Sequence, residues 1–284
     1  VYIIMDGNMK YALLVNTCDK FEDCWIPFFS LLKKYWPDCS GKIYLNTEYK
    51  SYVDGEISIE SICGCITKQI PVKKRATWSQ CLRWALEKID YDIILYMQED
   101  YFIKSRVDNN CVNYFVDLMK NNSGIDCIQL TPGAVKHKGK SKYEKLDVVD
   151  NTYWSTISCQ ASLWRRDVLL KYIRDYESAW QFEWWGSKRA KILNDNFFVV
   201  SDSWVVSGKY EIIPYIITGV IGGAWYKPVV ELFNNNNLHV DYSQRGFFEE
   251  NKSITWFEKQ KRRFFQLPVE VRNLWNLFWL KRKI

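Results

Sequence analysis

The chain has 284 residues, 48% of them hydrophobic and 25% charged, which is ordinary for a folded globular protein and too apolar for a disordered one. That length supports one large core, or one domain with an appendage. The formal charge of +6 comes without any recognisable nucleic-acid motif, which argues against sequence-specific binding of DNA or RNA.

The aromatic content is high at 17%, with 14 Trp and 18 Tyr. Such rings fill cores, and they also stack on sugars and bases or settle at membrane interfaces. Nine cysteines are scattered along the chain, and Cys63-Gly64-Cys65 is too tight for a common zinc knuckle with no second pair to complete it. No secretory-signal pattern is seen, and no uninterrupted apolar stretch reaches the roughly 20 residues that span a bilayer. The expectation is a cytoplasmic setting with free, mostly buried thiols.

In chain order, Tyr11 to Thr17 reads as a strand buried on both faces. Phe21 to Tyr35 repeats Trp25, Phe28, Phe29 and Leu32 at helical spacing, Pro37-Asp38 ends that helix, and Lys42 to Asn46 is a second strand. Strand, helix and strand at this spacing predict a βαβ unit and a parallel sheet. Gly55 to Ile70 reads as loop and short strands. Thr77-Trp78-Ser79-Gln80 fits a capping box that opens a helix with Trp78, Cys81, Leu82, Ala85, Leu86 and Ile89 on one face.

Asp92 to Ile103, DIILYMQEDYFI, follows. An apolar run stops at Gln98, Glu99 and Asp100, so the carboxylates arrive where a central strand ends, the place at which open α/β sheets bind ligands. Val107 to Lys120 reads as a helix and Asp126 to Thr131 as a strand. The lysine-rich stretch Gly133 to Asp150 is expected to be a mobile loop. Tyr153 to Leu163 is expected to be extended, and Arg166 to Arg174 a short helix. Glu177 to Ala190 packs three tryptophans around two glutamates. Tyr210 to Ile217 and Gly219 to Val230 read as strands, and Asn234 to Asn237 as a surface loop. Ile254 to Ile284 reads as one or two helices interrupted at Pro268.

This order of elements, with Gln98-Glu99-Asp100 at the end of a buried strand, resembles the GT-A-type glycosyltransferases over roughly Tyr11 to Ala190. The resemblance implies an α/β fold with a GT-A-like, Rossmann-type, mostly parallel sheet flanked by helices and a C-terminal helical appendage. It implies a catalytic domain over 1–250, with a donor half at about 10–131 and an acceptor half at about 150–250, followed by a basic and aromatic tail over 251–284. The implied activity is transfer of a sugar from a nucleotide-sugar donor to a glycan or lipid-linked acceptor, with inversion, for surface polysaccharide. Gln98-Glu99-Asp100 resembles a variant D-x-D motif, which holds Mn²⁺ or Mg²⁺ on the donor diphosphate. Gln98 is an amide where the family carries its first aspartate, which leaves metal-independent use of the site open.

By the same resemblance, Thr17 and Asp19 contact the nucleotide base and ribose, and Arg83 reaches the diphosphate; an i,i+4 pair with Glu87 is the structural alternative for Arg83. Gln98, Glu99 and Asp100 touch donor and metal, and His239 is a late metal ligand. Inverting transfer needs a carboxylate to take the acceptor's proton. Glu183 among tryptophans is the first candidate, since burial raises a carboxylate pKa, and Glu177 is the reserve. An ion pair of Glu183 with Lys188 or Arg189 is the alternative. Ser158 to Trp164 resembles the family's acceptor-side strand, making Gln160 and Trp164 acceptor contacts, and Trp180, in the segment of Glu183, is a third through stacking on sugar.

Two other readings stand beside this one. A nucleotidyltransferase acting on sugar phosphates shares the plan, although Asn16 to Lys20 lacks the glycine-rich loop usual after its first strand. A non-catalytic carbohydrate-binding protein could use the tryptophans alone. The tail mixes Trp275, Phe278 and Trp279 with Lys281, Arg282 and Lys283, a composition that fits an anionic membrane surface, a helix folded back on the domain, or a homodimer contact.

Overall fold

The computed structural model describes residues 9–250 and 256–283, and of residues 256–265 the backbone only. Strand β1 (Ala12–Asn16) is buried along its whole length. A 3-10 turn (Asp19–Cys24) leads into α1 (Trp25–Tyr35), which turns Trp25, Phe28, Phe29, Leu31 and Leu32 into the core. Then come β2 (Lys42–Asn46), β3 (Ile59–Ser61) and the single turn α2 (Gly64–Thr67). Helix α3 (Trp78–Lys88) starts at the predicted capping box: the Gln80 N–H donates to Thr77 Oγ1 at 3.1 Å, and the Thr77 N–H donates to Gln80 Oε1 at 2.9 Å.

Strand β4 (Ile93–Gln98) is buried until its last residue, as its apolar run requires. Truncating a fully buried member such as Leu95 to alanine costs about 2–5 kcal/mol at sites of this kind. The chain continues through α4 (Asn109–Asn121), β5 (Cys127–Gln129), β6 (His137–Lys140), β7 (Leu146–Val149), β8 (Ser162–Arg165), α5 (Arg166–Tyr172), α6 (Ala179–Leu193) and β9 (Phe197–Val200). The two-residue strands β10 (Val220–Ile221) and β11 (Ala224–Trp225), then α7 (Pro228–Asn235) and α8 (Trp256–Lys283), complete it.

Nine strands form one sheet in the order β3-β2-β1-β4-β8-β5-β9-β7-β6. Pairing is parallel from β3 to β4, β8 runs against both neighbours, and β7 runs against β9 and β6. All strands but β7 and β8 therefore point one way, in keeping with the expected mostly parallel sheet. Helices α1 and α4 neighbour each other through Trp36 to Asn109 and Ser40 to Asn113, whereas α3, α5, α6 and α8 form a second contacting group. The chain steps from β1 outward to β2 and returns on the other side of β1 as β4. Strand order thus reverses at β1, and the crevice beyond the carboxyl ends of β1 and β4 is the topological switch point.

Four expectations need correcting. Gly133 to Asp150 is not one long loop: it contains the antiparallel pair β6–β7 at the sheet edge. Its lysines suit an edge strand, and charge hides a strand that needs few apolar residues. Tyr210 to Ile217 forms no strand and contributes only isolated bridges. Gly219 to Val230 is two very short strands and the start of α7. Helix α8 runs through Pro268 without interruption.

Candidate active site at the switch point

Three parallel strands end in amides that stand side by side. Asn16 of β1 is in register with Asn46 of β2 and with Gln98 of β4. Asn46 Nδ2 donates to Asn16 Oδ1 at 2.6 Å, and Asn16 Nδ2 and Gln98 Nε2 both donate to the Tyr96 hydroxyl at 3.3 and 3.4 Å. Asn46 is fully buried, and its Oδ1 has no hydrogen-bond partner. Glutamine was the expected member of this set; both asparagines and Tyr96 were missed, although each asparagine closes an apolar run.

Beyond Gln98 the chain turns through Glu99 and Asp100, both buried. The Thr218 hydroxyl donates to Asp100 Oδ2 at 2.7 Å, the Val220 N–H donates to the same oxygen at 3.2 Å, and the Gly219 N–H donates to the Asp100 carbonyl at 2.9 Å. Gly219 must be glycine here, since a Cβ would sit 2.2 Å from the Phe102 ring and 2.9 Å from the Asp100 carbonyl oxygen. Asp100 Oδ1 is buried without a partner. Burial raises the Asp100 pKa even against these hydrogen bonds. Glu99 is pushed well above the usual carboxylate range, first by burial and then by the Asp100 charge beside it, with Arg245 opposing.

The first-strand loop is fixed from both sides. The Asp19 carboxylate accepts from the backbone N–H groups of Glu48, Tyr49 and Lys50 at 3.0, 2.9 and 3.2 Å. Thr17 Oγ1 accepts from Trp25 Nε1 at 3.0 Å and is buried. Arg245 grips the 3-10 turn through Asp23, with Nε to Oδ2 at 2.5 Å and Nη2 to Oδ1 at 2.6 Å, and it also donates to the Lys20 carbonyl at 2.7 Å. Nothing in the local sequence near Arg245 announces this role; it reaches across 222 positions.

Glu183 lies on α6, whose own capping box (Ser178 with Gln181) was not read from the sequence although it follows the same pattern as Thr77 with Gln80. Its Oε1 accepts from the Cys159 N–H at 2.6 Å, and the Cys159 carbonyl accepts from the Tyr101 hydroxyl at 3.0 Å. Tyr101, the residue after the acidic pair, and Glu183 thus bind the two sides of one residue, Cys159. Burial raises the Glu183 pKa, and the Cys159 N–H holds it down in part. Tyr101 stacks on Tyr215 at 4.9 Å, and the Tyr215 hydroxyl donates to Gln160 Oε1 at 2.7 Å. This places Gln160 beside the same segment.

The remaining candidates lie elsewhere. Glu177 is fully buried in a bidentate pair with Arg189, at 2.8 and 2.6 Å, which removes it from any role as a base open to substrate. Trp164 is a core residue packed on Tyr172 and Phe197, so it is no acceptor contact. The Arg83 guanidinium is bound to Asp175 at 2.5 Å and to the Ile173 carbonyl at 2.8 Å; the alternative partner, Glu87, pairs with Lys68. Trp180 is 82% exposed on the first turn of α6. His239 is exposed, and among the described residues no group of three or more His, Cys, Asp or Glu is gathered for a metal. Arg75, missed in the sequence, is exposed and stands 4.0 Å from Glu48, with its charge also felt at Cys18 beyond β1.

The hard oxygens of Asp100 and Glu99 fit a single Mg²⁺ or Mn²⁺ of the kind that takes one or two carboxylates and completes its shell with water and substrate phosphate. The unpartnered Asp100 Oδ1 is the atom that fits it.

No family model and no curated protein matches the chain. Among solved structures it is similar to S. aureus TarS 1-349 in complex with UDP, at 11% identity and a TM-score of 0.44 over 84% of this chain and 68% of that one. It is similar to a mycobacterial protein at 12% identity and a TM-score of 0.45, over 86% of this chain and 78% of that one. A third similarity is to glucosyl-3-phosphoglycerate synthase from Mycobacterium tuberculosis in complex with Mn²⁺, UDP and phosphoglyceric acid, at 15% identity and a TM-score of 0.29 over 42% of each chain.

Proposed function

We propose that the protein is a glycosyltransferase of GT-A type that moves a sugar from a nucleotide-sugar donor to a glycan or lipid-linked acceptor. The observation that carries this reading is that Cys159 ties Glu183 to Tyr101, the residue after the acidic pair, beside the row of amides at the switch point. Open α/β sheets bind nucleotides at such a crevice. Asn46, fully buried, holds Asn16 in the amide row from behind, and the paired carboxylates suit the diphosphate end through a divalent ion.

In the proposed reaction the acceptor hydroxyl attacks the anomeric carbon while its proton passes to Glu183. A new C–O bond forms, and the bond between the anomeric carbon and the diphosphate oxygen breaks with inversion. A bound Mg²⁺ or Mn²⁺ at Asp100 and Glu99 would offset negative charge on the departing nucleoside diphosphate. Arg75 takes the place first assigned to Arg83, as an exposed cation whose contact with Glu48, at 4.0 Å, is loose enough to yield to a phosphate. Trp180 offers an apolar face to the acceptor sugar. His239 is not retained as a ligand.

Release of nucleoside diphosphate from UDP-, GDP-, CMP- and dTDP-sugars, with and without Mn²⁺, tests the reading. Hydrolysis or transfer with at least one donor is expected. A carbohydrate-binding protein would release nothing, and a nucleotidyltransferase would release pyrophosphate from a nucleoside triphosphate and a sugar phosphate instead.

A further inference from the structure

Helix α8 leaves most of its described apolar residues exposed, unlike a helix that packs by burying its apolar face. Its inward side mixes the half-buried Val269, Leu277 and Leu280 with two asparagines. Asn273 is fully buried and accepts from Arg189 Nη1 at 3.1 Å, and Asn276 Oδ1 accepts from Arg174 Nε at 3.0 Å. The larger apolar set turns outward: Leu267, Val271, Leu274, Trp275 and Phe278 recur at helical spacing and are 44–63% exposed, with Trp279 beside them. Trp275 stacks on Phe278 at 6.0 Å, and the Arg282 guanidinium lies 4.3 Å over the Phe278 ring. The inward side lies against α6 and the loop before it, and among the described residues nothing covers the outward stripe.

Charge narrows what that is. In sequence, α8 carries eight Lys or Arg and two Asp or Glu, while the rest of the chain has 31 of each. The whole formal charge of +6 therefore sits on one helix. Basic residues stand near both ends of it, Lys259 to Arg263 and Lys281 to Lys283. Pairing with a second copy, parallel or antiparallel, sets basic ends against basic ends. A nucleic acid would answer the charge and leave the tryptophans in water. An anionic lipid surface answers both at once, taking aromatic and aliphatic side chains into the headgroup boundary while long cationic side chains reach the phosphates.

We infer that the outward face of α8 docks on an anionic bilayer surface, with the helix lying in the interface. No described helix is long and apolar enough to cross a membrane. The inference stands apart from the glycosyltransferase reading, because it uses none of the switch-point residues.

The test is co-sedimentation of the full chain with vesicles of phosphatidylcholine alone or mixed with phosphatidylglycerol, over a salt series. The expected result is pelleting with the anionic vesicles only, weakening as salt rises. Trp275→Glu and Phe278→Glu should each weaken binding by about tenfold, and the pair Lys281→Glu with Arg282→Glu by a similar factor. All four positions are exposed, and an unchanged melting temperature in lipid-free buffer shows that each variant is folded. Equal pelleting with both vesicle types, no pelleting, or variants that pellet like wild type would overturn the inference. So would salt-sensitive self-association in lipid-free buffer that Trp275→Glu abolishes, which would assign the face to a second copy. The donor-induced thermal shift should be the same in Trp275→Glu and wild type, which separates this surface from the donor site.

Discussion

The Thr218 hydroxyl donates to Asp100 Oδ2 at 2.7 Å, joining side chains 118 positions apart. Through this bond the acidic turn after β4 is held by the loop before β10, and Gly219 lets the two backbones approach. Thr218→Val removes the hydroxyl and leaves a buried carboxylate oxygen with one donor fewer, the Val220 N–H alone. The expected loss is about 1–3 kcal/mol in urea unfolding. A variant as stable as wild type would mean that the loop does not hold Asp100.

Glu99 gives stability a pH dependence of defined sign. Its folded pKa is raised by burial and by the Asp100 charge. Between the ordinary glutamate pKa and that raised value, the native state keeps a proton that the unfolded chain has released. Stability therefore falls as pH climbs through the window. Glu99→Gln removes the titrating group, so its unfolding free energy should lose this slope and exceed that of wild type toward neutral pH. Parallel curves for the two proteins would contradict the assignment.

Glu177 and Glu183 are six residues apart and do different work. Glu177→Ala leaves Arg189 buried without its carboxylate, and the expected cost is about 3–5 kcal/mol by urea titration. Activity per folded molecule should stay at the wild-type level. A loss under about 1 kcal/mol would show that the ion pair is not a structural tie.

Glu183→Gln should keep the fold and the donor affinity while lowering kcat by about 10²–10⁴-fold. In the wild-type enzyme, kcat should rise with pH through a pKa above the ordinary glutamate value, because burial raises Glu183. Retained turnover in Glu183→Gln would move the base elsewhere.

How much was legible in the sequence follows from the range of each interaction. Strands β1 and β4 announced themselves because a strand buried on both faces needs an unbroken apolar run, and Ile93 to Met97 supply one. The capping box at Thr77 was legible because both of its partners lie within four residues. From β4 the position of the acidic turn followed at once. Trp164 was misread because a tryptophan beside a polar segment looks like a binding residue until its partners, Tyr172 and Phe197, are known. Arg83 was assigned to a phosphate because its true partner, Asp175, is 92 positions away. The roles of Arg245, Asn46 and Thr218 depend on contacts between distant segments, and no local pattern encodes them. Pro268 shows the reverse error, a local breaking signal that the backbone of α8 absorbs.

The central claim is that a nucleotide sugar binds at the β1–β4 switch point. The most direct measurement is the melting temperature of wild type and of Asn46→Leu with UDP-, GDP-, CMP- and dTDP-sugars, with and without Mn²⁺. Ligand that binds only the native state raises the melting temperature by mass action. The account predicts a rise in wild type with at least one donor, larger with Mn²⁺ if the acidic turn holds the ion, and a much smaller rise in Asn46→Leu compared with its own unliganded melting temperature. No rise with any donor, or an equal rise in both proteins, would contradict it.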